Sequence, residues 1–129
     1  MISLDTNVLV RLLTRDDEAQ FQRAHALFSS REVYICETVL LETEWVLRHA
    51  YAFSPAAIRG ALRKLIALAN VRVSDPPRVA KALDWHGEGL DFADALHLAG
   101  SQHAESLATF DNKLVERAKG LGTCPPVVP

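Results

Sequence analysis

Five acids, Asp5, Glu42, Asp91, Asp94 and Asp111, are set among apolar residues along this chain. In "MISLDTNVLV", Asp5 breaks an apolar run. In "TVLLETEWVL", helical spacing puts Glu42 on one face with Val39 and Val46, so Glu42 interrupts an apolar stripe while Glu44 is read as solvated on an outer face. In "DFADALHLAG", Asp94 shares a face with Leu98 and follows Asp91 by one turn, on a helix apolar enough to be largely buried. In "LATFDN", Asp111 ends another apolar segment. Taken singly, most have plain structural readings. Asp5 and Asp91 suit helix N-caps, and Asp111 suits a turn. Glu42 and Asp94 resist that reading, because a carboxylate on a buried face is costly unless it is paired or coordinates a cation. Neither helix offers an evident arginine one turn away on that face.

Brought together, crowded carboxylates raise one another's pKa unless a multivalent cation neutralises them. All-oxygen ligands select hard ions, so Mg²⁺ or Mn²⁺ fits and zinc does not. Such a centre suits phosphodiester hydrolysis, with water as nucleophile and the departing oxygen stabilised. Other chemistries lack their marks. There is no glycine-rich phosphate loop, dinucleotide fingerprint or nucleophile elbow. The five histidines have no ligand spacing. Among them only His97, one turn after Asp94, falls near the acids. The aromatics are few and dispersed, which gives no sign of a base-stacking platform.

The elements that must position these acids follow from pattern. Ile2 to Leu4, Val33 to Ile35, Val71 to Val73, Ser106 to Thr109 and Val127-Val128 read as five short strands. Helices are expected from Val8 to Leu13, from Asp16 through Phe28 and from Thr38 to Ala50. Another starts at Ser54-Pro55 and runs to about Ala69. Further helices run from Pro76-Pro77 to His86-Gly87, from Asp91 to His103 and from Lys113 to Lys119. The alternation predicts an α/β fold: a short, mainly parallel central sheet in a three-layer α/β/α arrangement. Ligands of such sheets sit beyond the carboxyl ends of the strands. Asp5 and Asp111 would share that edge if the first and fourth strands were neighbours.

Bulk properties narrow the class. The 129 residues are read as a single domain spanning 1–129, able to bury a core without disulfides. No apolar run is long enough for a membrane span and no secretion signal is evident, so a cytoplasmic protein is expected. Cys36 and Cys124 are read as incidental reduced thiols. Of 16 acidic residues, reserving five for a metal site leaves 11 against 14 basic ones, a balance permissive of a polyanion. Arg11, Arg15, Arg48 and Lys113 are candidates for phosphate contact.

Four blocks in order, "MISLDTNVLV", "LLETEWVL", "DFADALHLA" and "LATFDNKL", resemble the PIN domain, and within it the VapC-type toxins of bacterial toxin–antitoxin pairs. The resemblance covers essentially the whole chain. It implies a Mg²⁺- or Mn²⁺-dependent endoribonuclease acting on RNA, held inactive by a small cognate antitoxin and working as a homodimer. Position by position it makes Asp5, Glu42, Asp94 and Asp111 the acidic quartet, with Asp5 and Asp94 as principal metal ligands. Asp91 matches an acid before the third, Asn7 a residue supporting the first, and Thr109 the hydroxyl residue before the last. Some relatives carry a further acid after the last one. Here Asn112 and Lys113 stand instead, which puts a second metal in doubt. A housekeeping RNA-processing nuclease without an antitoxin, or an idle RNA- or protein-binding domain, are the competing readings.

Overall fold

The computed structural model describes residues 1–129. Packing divides the chain into two units, Met1–Pro76 and Pro77–Pro129, taken in turn.

In the first unit β1 (Ile2–Ser3), β2 (Val33–Tyr34) and β3 (Val71–Arg72) form a parallel sheet in that order, with Ile2, Val33 and Val71 in register. The strands are brief, but pairing runs slightly past them: Leu4 N donates to Tyr34 O at 3.0 Å and Ile35 N to Arg72 O at 2.9 Å. Helices α1 (Thr6–Thr14), α2 (Glu18–Ser30), α3 (Glu37–His49) and α4 (Pro55–Ile66) provide the crossovers. Three of them start at side-chain caps, and α3 does not. Asp5, Asp17 and Ser54 accept from the backbone N–H of Thr6, Gln20 and Ala57. This is why α1 begins two residues before the expected Val8 and α2 two residues after the expected Asp16. Helix α4 stops at Ile66, short of the expected Ala69, with Ala67 as its C-cap. Leu4, Leu9, Val10, Ala24, Val33, Ile35, Leu40, Leu47, Ile58, Leu62, Leu65 and Val71 are the buried apolar set.

Helix α3 overturns one expectation. Its buried residues are Leu40, Thr43, Glu44 and Leu47, so the core stripe runs one position away from the expected Val39, Glu42 and Val46. Glu44, expected in solvent, is 2% exposed and receives Arg48 Nε at 2.8 Å and Nη2 at 3.2 Å. Glu42 is exposed. The stripe is apolar enough in either register, and in the observed one the buried Glu44 carboxylate is paired with the half-exposed Arg48 one turn on.

The second unit holds α5 (Pro76–Gly87, starting at the boundary), α6 (Phe92–Gly100), β4 (Leu107–Ala108), α7 (Asn112–Arg117) and β5 (Pro126–Val127). Strands β4 and β5 pair in parallel, Leu107 with Pro126 and Ala108 with Val127. Helix α6 ends at Gly100, three residues short of the expected His103, and Ser101 N turns back to Leu98 O at 3.1 Å. The β4–β5 crossover needs glycine at 122. Its φ is +70°, and a Cβ there would run into the Gln102 carboxamide, which receives Thr123 N at 2.7 Å. Val79, Leu83, Phe92, Ala95, Leu98 and Leu114 are buried. Every strand pairing is parallel, in keeping with the expected class. Strand β1 takes β2 as its partner and β4 takes β5, so the neighbouring of first and fourth strands remains an expectation.

Candidate active site

The five acids fall into two sets. Asp5 and Glu42 belong to the first unit; Asp91, Asp94 and Asp111 belong to the second. Asp5 is exposed at the end of β1, and its Oδ1 accepts from Thr6 N at 2.8 Å. Asn7 is exposed on the first turn of α1, at a cavity of about 590 Å³ shared with Arg23 and Leu27 of α2. Glu42 stands exposed on α3, one turn before Trp45, whose ring lies 4.5 Å from that of His49.

The second unit gathers its three aspartates. Asp91, Asp94 and Asp111 line one cavity of about 260 Å³, joined by Lys113 and Arg117 and floored by Leu90 and Leu114. Two caps aim them. Asp91 Oδ1 accepts from Ala93 N at 2.9 Å and Asp94 N at 3.3 Å. Asp111 Oδ1 accepts from Lys113 N at 2.9 Å and Leu114 N at 3.2 Å. The turn before α7 is closed by Thr109, whose Oγ1 accepts Asp111 N at 3.0 Å. The plain reading of Asp91 and Asp111 as caps is therefore true, and it coexists with their place on the cavity. Asp94 caps nothing. It is half-buried, and burial pushes its carboxyl above the usual value, with the charges of Asp91 and then Asp111 pushing the same way. His97 and Arg117 pull weakly against them.

This donor set suits a hard divalent cation: all oxygen, anionic, and crowded enough that one carboxyl resists ionising. Within neither unit do three Asp, Glu, His or Cys side chains already converge as a cage. One reason is visible, since one oxygen each of Asp91 and Asp111 is engaged with backbone N–H groups.

The basic residues sort differently from expectation. Arg11 is held by Gln20 at 2.7 Å, Asp16 at 3.3 Å and Tyr51 at 3.3 Å. Arg15 forks onto both oxygens of Glu18 at 3.0 Å and covers the Phe21 ring at 4.1 Å. Arg48 belongs to Glu44. Of the four arginine and lysine candidates only Lys113 lies at the aspartate cavity, and Arg117 accompanies it. The spacing of Lys113 and Arg117, one helical turn apart after Asp111, was the available signal for Arg117.

The PIN domain family profile matches residues 2–120. The chain belongs to the PIN domain family. Among solved structures this PIN domain is similar to the crystal structure of Mycobacterium tuberculosis VapC20, described as a sarcin-ricin loop cleaving toxin. Identity is 23%, coverage is 98% of this chain and 100% of that one, and the TM-score is 0.46. No curated protein matches. No helix of this PIN domain is long and apolar enough to cross a membrane, and both cysteines are free thiols.

Proposed function

We propose that this PIN domain is a Mg²⁺- or Mn²⁺-dependent endoribonuclease, the toxin of a type II toxin–antitoxin pair, acting as a homodimer in the cytoplasm. The observation that carries the reading is the cavity in which Asp91, Asp94 and Asp111 meet Lys113 and Arg117. Carboxylates and cations side by side are what a site needs that must hold both a metal and a phosphate. In this reading Asp5 and Asp94 are the principal metal ligands, and Glu42 and Asp111 complete the set directly or through water. Family membership supports this choice of acids.

When bound, the metal supplies Lewis-acid polarisation of the phosphoryl group and lowers the pKa of water. The chain supplies the rest. Lys113 and Arg117 take up phosphate charge, one carboxylate accepts a proton from the attacking water, and Thr109 keeps Asp111 oriented through the turn it closes. The expected antitoxin contact is a groove of the first unit, about 880 Å³, lined by Leu12, Phe21, Phe28, Ala61, Leu65 and Leu68. Its apolar walls suit an amphipathic segment.

The test is cleavage of RNA by the purified protein. Activity should require Mg²⁺ or Mn²⁺, cease in chelator and return when metal is restored. Undiminished cleavage in chelator, by protein free of contaminating ribonuclease, overturns the metal mechanism.

A further inference from the structure

Phe110 is 82% exposed, more than any other large apolar side chain of the chain. Single exposed apolar residues are common on protein surfaces and by themselves mean little. The surroundings of this one set it apart. On its N-terminal side Thr109 N donates to Val127 O at 2.9 Å, which ties the backbone to β5. On its C-terminal side Asp111 N donates to Thr109 Oγ1 and Asp111 caps α7. Phe110 is thus the middle residue of the three-residue joint between β4 and α7, held on both sides, with its ring in solvent. It directly precedes an aspartate of the cavity that also carries Lys113 and Arg117.

We propose that Phe110 is a stacking platform for an unpaired nucleobase of the RNA, beside the phosphate taken up by Lys113 and Arg117. This rests on the nuclease reading above and deepens it: the substrate class becomes RNA with an unstacked base next to the bond cut. Phe110 stands outside the cavity lining, but its Cα is about 3.8 Å from that of Asp111, so a base on its ring can belong to a nucleotide whose phosphate lies at the cavity. Every base has a π-face, so a lone ring binds without reading sequence, and a ring on anchored backbone loses little freedom when a base lands on it. A base inside a duplex is already stacked and gains nothing from Phe110. The platform therefore selects single-stranded or splayed RNA. The small number of aromatics concealed this, because one ring suffices when it stands beside the phosphate site.

The experiment compares wild type with Phe110→Ala and Phe110→Trp, in cleavage kinetics and in binding. Binding is read by fluorescence anisotropy of a short unstructured RNA and of the same RNA as a duplex, in chelator. Phe110→Ala should raise KM and weaken single-strand binding by on the order of 10-fold, with kcat little changed and duplex binding unmoved. Phe110→Trp should restore both, and its added fluorescence should be quenched by the single strand. Single-strand affinity and KM that stay at the wild-type level in Phe110→Ala overturn the platform while leaving the nuclease reading standing. Wild type that binds single strands through Phe110 without cleaving them supports the platform and overturns the nuclease. Wild type that neither binds nor cleaves RNA overturns both. Loss of a dimer in Phe110→Ala, with RNA affinity intact, assigns the ring to contact with a second copy and likewise overturns the platform.

Discussion

Asp94 differs from its neighbours in having no structural task to excuse it. Asp91 and Asp111 cap helices; Asp94 sits half-buried between their charges with its carboxyl pushed above the ordinary 3.8. The folded, metal-free protein therefore holds that proton more tightly than the unfolded chain does. Stability falls as pH rises from the ordinary value through the raised one, and stays lowered at neutral pH. Removing the charge removes that deficit. In chelator at neutral pH, Asp94→Asn should melt at or above wild type, and the difference should vanish as pH drops below the carboxylate range. The same variant should lose cleavage by at least about 100-fold, the upper end of what even outer-shell partners of a metal cost. It should also lose most of the thermal stabilisation that Mg²⁺ gives wild type. Melts of both proteins across pH, with chelator and with excess Mg²⁺, check all of this. A variant that melts well below wild type in chelator, yet gains as much from Mg²⁺, assigns Asp94 to the scaffold.

Helix α3 poses the same distinction between two glutamates in one element. Glu44 is buried with Arg48, so Glu44→Gln leaves a buried group poorly satisfied and should cost about 1–3 kcal/mol, with any activity loss following the unfolding. Glu42 is exposed, and Glu42→Gln should hold stability within about 0.5 kcal/mol while suppressing cleavage. If Glu42→Gln cleaves RNA as wild type does, Glu42 leaves the proposed site. The helix also marks where sequence pattern stops being informative. Element order and type were legible throughout, because helical spacing, Pro55 at a first helical position and short β-branched strands are local signals. The rotation of α3 was not. Both candidate stripes carry apolar residues at valid spacing, and spacing alone does not show that Glu44 is buried against Arg48. Cap positions shifted helix starts for a similar reason, since Asp5 and Asp17 had alternatives within two residues. Helical spacing made Asp91 and Asp94 legible as neighbours, and only the family resemblance put Asp111 with them; the commitment of Arg11, Arg15 and Arg48 to other partners depends on contacts such as Tyr51 with Arg11, 40 positions apart.

Across the whole molecule, the toxin reading asks for two separable surfaces, one that cuts RNA and one that a partner can occupy. The groove among α1, α2 and α4 supplies a way to test that separation, because Gly60 lines it from the middle of α4. A Cβ at position 60 meets nothing within 4 Å. Gly60→Ala should therefore be tolerated and should stabilise the chain by about 1 kcal/mol, the helical cost of glycine relative to alanine. Gly60→Phe should place a ring in the groove without disturbing the core beneath, since Ile58 and Leu62 lie outside the groove lining and are buried. The expected outcome is a protein that folds, cleaves RNA at the wild-type rate and no longer copurifies with a co-expressed antitoxin. In cells it should arrest growth even when the antitoxin is supplied, while Gly60→Ala remains neutralised. Melting curves and cleavage assays first establish that Gly60→Phe is folded and active; pull-down and growth then decide. Undiminished capture of the antitoxin by Gly60→Phe would move the partner to another face. Robust cleavage in vitro by a wild-type chain that never slows growth would favour an RNA-processing role over the toxin.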